Sequence, residues 1–308
     1  MRALLMSLFG YVRVPPEAVA LCRAIKARVT DSQALRGLDA LEQFLRSGRL
    51  YLSFVAIALA CAVGLNAEAR DRRVPIAAAG GGGGGIAAVS GQQTGNNANN
   101  AASVEEAFTS DVTAGNLVVV VGLQYRATDA TFVTGSTTKL SGTATLGTIQ
   151  LDSVVNLEID ANTFMNVGIW SAIVTGSGSL TMQVASPFSG AYMLIGVGEF
   201  TGTWSASRFE DESTGGTATD GVTAVSSGNC VSAGGALFVG GTSISFSSGP
   251  SIAEDGAWTL IYENEVVTDH NGSTIFRIVV GGTTDPAEWT IASTNTGWSA
   301  ACAVYKEG

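Results

Sequence analysis

The chain has 308 residues, and its formal net charge of −10 is unevenly placed: residues 1–75 hold eleven Lys/Arg against six acids, residues 76–308 five basic residues against twenty acids. The acidic part would repel a phosphate backbone, which argues against nucleic acid as its partner, while the basic part suits a membrane surface or an acidic partner protein. Four Cys and a single His, with no CxxC spacing, exclude a zinc site of the usual kinds.

In chain order, Pro15-Pro16 ahead of EAVALCRAIKARV predicts a helix with proline in its first turn. Val19, Leu21, Cys22, Ile25 and Val29 recur along it at helical spacing. Asp31-Ser32 can cap a second helix, QALRGLDALEQFL, with Leu35, Leu38, Leu41 and Leu45 on one stripe. Two such helices cannot bury both stripes alone, so residues 1–49 are expected to form a basic helical anchor that docks on a partner or on itself. Residues 50–65, LYLSFVAIALACAVGL, are uncharged and mostly apolar, yet shorter than the roughly 20 residues of a membrane-spanning helix. Three readings of residues 50–69 stay open: a signal-anchor or signal peptide, with small residues in NAEA (Asn66 to Ala69) for cleavage; an apolar helix buried in an assembly; or a start codon assigned too far upstream. If the segment spans a membrane, eight basic residues before it and three after favour an N-inside orientation.

Residues 70–102 read as a linker. Gly80 to Gly85 and then SGQQTGNNANNAAS show no periodicity and offer nothing to bury. A phosphate-cradling loop is excluded because no Lys-Ser/Thr follows the glycines. Residues 103–308 read as strand after strand, among them AGNLVVVVGLQY, NTFMNVGIWSAIV, GSLTMQV, GAYMLIGVGEF, GGALFVGGTSISF, GAWTLIYENEVV, GSTIFRIVVGG, AEWTIAS and GWSAACAVYK. No long amphipathic helix interrupts them. The expected fold is all-β: an antiparallel two-sheet β-sandwich, a concanavalin-like jelly roll, preceded by the helical anchor and the linker.

The candidate chemistry is thin. LEIDAN (Leu157 to Asn162) resembles the Glu-x-Asp-x-x-Glu strand of laminarinase-like glycosidases, and alternation would set Glu158, Asp160 and Asn162 on one face. A retaining glycosidase needs two carboxyls, and Asn162 stands where the second would be, so a solvated strand end is expected instead. His270 follows Asp269 in TDHNGS, which reads as an exposed turn without a nucleophile elbow. The run FEDESTGGTATDG reads as an acidic loop. Its Asp211, Glu212 and Asp220 form a weak Ca²⁺ candidate that lacks EF-type spacing. Trp170, Trp258, Trp289 and Trp298 fall in strand-like runs and are expected in the core; Trp204, at a loop, is the weak candidate for ligand stacking. Cys230 and Cys302 read as two buried thiols, or as a pair in an oxidising compartment. No catalytic residue and no cofactor is expected.

SDVTAGNLVVVVG near residue 110, VGEFTG (Val197 to Gly202) and the closing WTIAS…GWSAACAVYK together resemble a β-sandwich module that recurs in phage virion proteins and secreted bacterial surface proteins. The resemblance covers residues 103–306. It implies a non-enzymatic structural or attachment role on a virion, as a homo-oligomer docked to other assembly proteins through residues 1–69. The alternative expectation is a membrane-anchored or secreted surface adhesin that binds a host glycan, and a concanavalin-fold glycosidase ranks below both.

Overall fold

The computed structural model describes residues 85–126, 131–160, 163–186, 188–217, 222–245, 252–267, 270–291 and 297–308. The expected anchor (1–49), the apolar segment (50–69) and residues 70–84 lie outside them. The first ten strands are β1 (Ala87–Ala88), β2 (Thr94–Ala101), β3 (Ser103–Ala107), β4 (Leu117–Arg126), β5 (Thr137–Ser141), β6 (Thr145–Leu146), β7 (Gln150–Asp160), β8 (Thr163–Gly176), β9 (Thr181–Ala185) and β10 (Ala191–Thr201). The remaining eight are β11 (Phe209–Thr217), β12 (Ala224–Ser232), β13 (Ala236–Ser245), β14 (Ile252–Glu254), β15 (Thr259–Val267), β16 (His270–Val279), β17 (Thr283–Ile291) and β18 (Gly297–Lys306). The fold is all-β with antiparallel sheets, and no α-helix occurs among the described residues.

The strands build four sheets. A seven-stranded sheet has the path β1-β10-β4-β8-β6, with β2 also on β10 and β7 also on β8; a five-stranded sheet runs β11-β18-β13-β16-β15. These two face each other. A three-stranded sheet, β3-β9-β5, covers the outer face of the first, and β12-β17-β14 covers the outer face of the second. The central strands are therefore buried on both sides. On β4, Leu117, Val119, Val121 and Leu123 enter the core between the large sheets, while Val118 and Val120 enter the core under the small sheet. On β18, Ala301, Ala303 and Tyr305 face the first of these directions and Ala300, Cys302 and Val304 the other. Two buried faces are the reason LVVVVG carries no polar alternation, as is usual for strands covered on both sides.

The topology holds a repetition that the sequence reading, with its single two-sheet sandwich, did not anticipate. With the short β1 and β6 set aside, residues 94–201 and 209–306 each contain eight strands. In both halves the large sheet has the order first-eighth-third-sixth-fifth and the small sheet second-seventh-fourth. The halves meet through their large sheets: β4 lies against β13, β2 against β15, β7 against β11, β8 against β18 and β10 against β16. In positions within a half this reads third on third, first on fifth, fifth on first, sixth on eighth and eighth on sixth. Exchanging the halves leaves that set unchanged, which is the signature of a two-fold, isologous contact built inside one chain.

The linker expectation needs correction at its C-terminal end. Residues 94–101, TGNNANNA, form β2 and pair with β10 from Thr94↔Val197 to Ala101↔Ala191, and Ala87 and Ala88 pair with Thr201 and Phe200. What holds β2 is the backbone ladder and amide side chains, such as Asn97 Nδ2 donating to Tyr262 Oη at 3.0 Å, and not hydrophobic alternation. That is why composition made it read as a tether.

Gly241 sits at a close approach of the two halves. A Cβ there would lie 2.5 Å from Val121 Cγ1 and 3.1 Å from Val167 Cγ1. Gly241→Ala should lower the unfolding free energy by about 1–3 kcal/mol, the usual scale of overpacking. Gly256→Ala, at a turn with nothing within 4 Å, should stay within about 0.5 kcal/mol of wild type. Urea unfolding of the two variants checks the pair of values.

Candidate functional site

Three polar groupings interrupt the apolar interior, and they hold most of the chemically capable side chains. The first joins the two halves. Asp152 on β7 is 8% exposed, and its Oδ2 accepts hydrogen bonds from Ser171 Oγ of β8 (2.5 Å) and Tyr305 Oη of β18 (2.9 Å). Arg208, just before β11, donates from Nε to Ser171 Oγ (3.0 Å) and from Nη2 to the Ser171 carbonyl (2.9 Å). Burial pushes the Asp152 carboxyl up to about 6, against the lowering effect of its hydrogen bonds with Ser171 and Tyr305 and of the Arg208 charge. The Tyr305 hydroxyl is raised above its ordinary range, first by burial and then by the neighbouring Asp152 charge. A carboxyl poised near neutrality is suited to proton transfer. Here its Oδ2 is taken up by two of the protein's own hydroxyls.

The second grouping corrects the reading of His270 as an exposed turn residue. His270 opens β16 and is buried, with its ring stacked on Tyr125 at 5.2 Å and lying 6.5 Å from Tyr192. Its Nε2 and the Oγ of Ser243 on β13 are hydrogen-bonded at 2.8 Å. The strand begins two residues earlier than the expected Gly272, and alternation then sends His270, Gly272, Thr274 and Phe276 toward the core between the halves. Burial lowers the imidazole to about 3, so it is neutral at physiological pH. Hydroxyl and imidazole at hydrogen-bond distance form two-thirds of a nucleophile–base–acid arrangement, but both are buried, and Asp269 lies outside the described residues. Sequence reasoning named His270 and missed Ser243, because only the pairing Ser243↔Gly272 and Ser245↔His270 brings that end of β13 beside it.

The third grouping surrounds Glu199 on β10, which is fully buried. Its Oε1 accepts from the Thr113 backbone N–H (2.7 Å) and Asn116 Nδ2 (2.7 Å), and its Oε2 from Gln92 Nε2 (3.1 Å). Gln92 also donates to the Ser110 carbonyl (2.9 Å) and accepts from the Ser110 N–H (3.2 Å). SDVTAGNL and VGEF, distant in sequence, thus meet at one carboxylate. Sequence reasoning missed Glu199 and Gln92. A lone acid inside the apolar run MLIGVGEF was the available signal.

The remaining candidates are not brought together. Glu158 is exposed near the end of β7, while Asn162 and the side chain of Asp160 lie outside the described residues. Residues 209–217 of the acidic run expected as a loop form strand β11, so Asp211 and Glu212 point to opposite faces. Asp211 Oδ2 accepts from the Val231 N–H at 2.7 Å, Glu212 is exposed, and Asp220 lies outside the described residues. Among the described residues no group of three His, Cys, Asp or Glu side chains is placed to hold a metal. Trp204 is not a free stacking platform. It is half-buried against the core between the halves, and its Nε1 donates to the Phe200 carbonyl at 3.1 Å. Trp170, Trp258 and Trp289 are buried, as expected from their strands. Cys230 and Cys302 are free, buried thiols.

No family model, curated protein or solved structure matches the chain.

Asp152 and His270 impose opposite pH dependences. The raised Asp152 contributes stability that is complete below the unfolded carboxyl value near 3.9 and is lost as pH rises through about 6. The depressed His270 contributes stability that is complete above about 6.5 and is lost as pH falls toward 3. Between pH 4 and 6 the two offset. Relative to wild type, Asp152→Asn should lose about 1.4 kcal/mol per pH unit on going from pH 6 to 4, and His270→Gln should gain a similar amount. Urea unfolding across that window measures both slopes.

Proposed function

We propose that this protein is a non-enzymatic virion component in which the described β-unit is displayed for attachment or particle decoration and the basic N-terminal region fastens it to the assembly. One observation carries this reading. The groups best suited to chemistry, Asp152, Arg208, Ser243, His270 and Glu199, are buried and bonded to one another or to backbone at the joints of the fold. Such placement favours a rigid scaffold whose function lies on its surface. The strand order within each half, first-eighth-third-sixth beside second-seventh-fourth, supports a jelly-roll reading, an arrangement common in particle-forming and lectin-like proteins. The charge division between residues 1–75 and 76–308 supports separate anchoring and display parts. Presentation through a Gly-rich segment would raise the effective concentration of a weak binding head.

A surface adhesin is the competing reading, and the same experiment separates the two. Full-length chain and a version lacking residues 1–75 are expressed with the particle-forming system, then particles, membranes and soluble fractions are resolved. The full chain should band with particles, and the truncated chain should be folded, soluble and absent from them. A truncated chain that incorporates normally overturns the anchoring role. Recovery of the full chain with the membrane fraction, processed near Ala69, would favour the adhesin.

A further inference from the structure

We propose that Cys230 and Cys302 are the two halves of a disulfide that ties the small sheet of the second half to its large sheet. Cys230 lies on β12 and Cys302 on β18, in different sheets, and both are completely buried in the same core. The two strands are in contact across that core, and both side chains belong to the one apolar cluster between the two sheets. Packing alone does not call for cysteine at this place. Cys302 stands opposite Gly240 on the third strand of its half, and the matching residue of the first half, opposite Gly122, is Ile195. That position is served by a plain hydrocarbon in one half and, in the other, by a thiol that shares its core with a second thiol.

The chemistry also says when the bond would form. Exchange requires a thiolate, and burial, followed by the neighbouring Cys230, pushes the Cys302 thiol well above its ordinary range. The closed, reduced core therefore resists oxidation, and pairing belongs to the folding chain before the small sheet closes over β18. With glutathione disulfide as oxidant, one protein thiolate attacks it and releases one glutathione thiolate. The second cysteine then attacks the mixed disulfide and releases the other. Two protein thiols become one disulfide, and the two hydrogens leave on two molecules of glutathione. The inference is independent of the display reading, since it concerns a bond and not a partner.

The test uses the full chain, refolded either in a reduced/oxidised glutathione buffer or in excess reductant. After refolding with oxidant, a digest made without reductant should contain a Cys230–Cys302 linked peptide two hydrogens lighter than its separate parts. The closed loop is long, so the oxidised protein should melt roughly 10 °C above the reduced form. Addition of oxidant only after folding should leave both residues unlinked. Cys302→Ala should melt at the same temperature with and without reductant. Recovery of Cys230 and Cys302 as alkylatable thiols after refolding with oxidant, or linkage of either to Cys22 or Cys61, overturns the proposal. The wild-type peptide map decides this even if the variant fails to fold.

Discussion

The apolar contact between the two large sheets is the constraint from which the other features follow. An antiparallel sheet ordinarily leaves one face to water, and its strands then alternate apolar and polar side chains. Here β4, β13 and β18 are covered on both faces, by the opposite half on one side and by a three-stranded sheet on the other. Strands in that position are apolar along most of their length, with their buried polar residues gathered toward one end, as at Gln124 on β4, Thr242 and Ser243 on β13 and Ser299 on β18. They must also be thin where backbones approach, which places Gly241 against Val121 and Gly272 against Leu123. The interior this creates is close-packed in three consecutive layers, with little tolerance for a change of volume.

Polar side chains inside such a stack are costly unless bonded, and their positions show what they do. Glu199 fastens the segment around Gln92 and the turn at Thr113–Asn116 to β10. Asp152, Ser171, Arg208 and Tyr305 tie β7 and β8 of one half to β11 and β18 of the other. Ser243 and His270, with Tyr125 and Tyr192, close one end of the core between the halves. Hydrogen bonds of this kind specify which strand lies against which, something uniform Val and Ala surfaces do poorly. A fold that bonds these buried titratable groups to one another and to backbone at its seams favours a rigid scaffold. That property connects the architecture to the proposed display role.

Much of the strand content was legible residue by residue. AGNLVVVVGLQY became β4, GAYMLIGVGEF became β10, GGALFVGGTSISF became β13 and GWSAACAVYK became β18. Their β-branched and small apolar residues have few alternatives to a covered strand. The misreadings share a cause. TGNNANNA and FEDESTGG carry no hydrophobic pattern, so composition made them a linker and a loop, yet each is the first strand of its half and pairs with the eighth. His270 was misread because DHNG has turn chemistry, whereas the register with β13 decides that its ring faces inward. The two-fold repetition escaped because the halves share strand order without sharing side chains. GNLVVVVG and GGALFVGG, both third strands, were the nearest hint.

By itself the sequence determined the all-strand character of the C-terminal region, its antiparallel build, the burial of most tryptophans and the division of charge, since each is a matter of local propensity and pattern. Tertiary structure decided everything that needs two distant segments in register: the paired halves, the carboxylate that joins SDVTAGNL to VGEF, the Ser243–His270 contact and the placing of Cys230 and Cys302 in one core. Such contacts depend on which strand becomes whose neighbour. That choice is made by the collective burial of whole sheet faces, a quantity no short stretch of the chain carries.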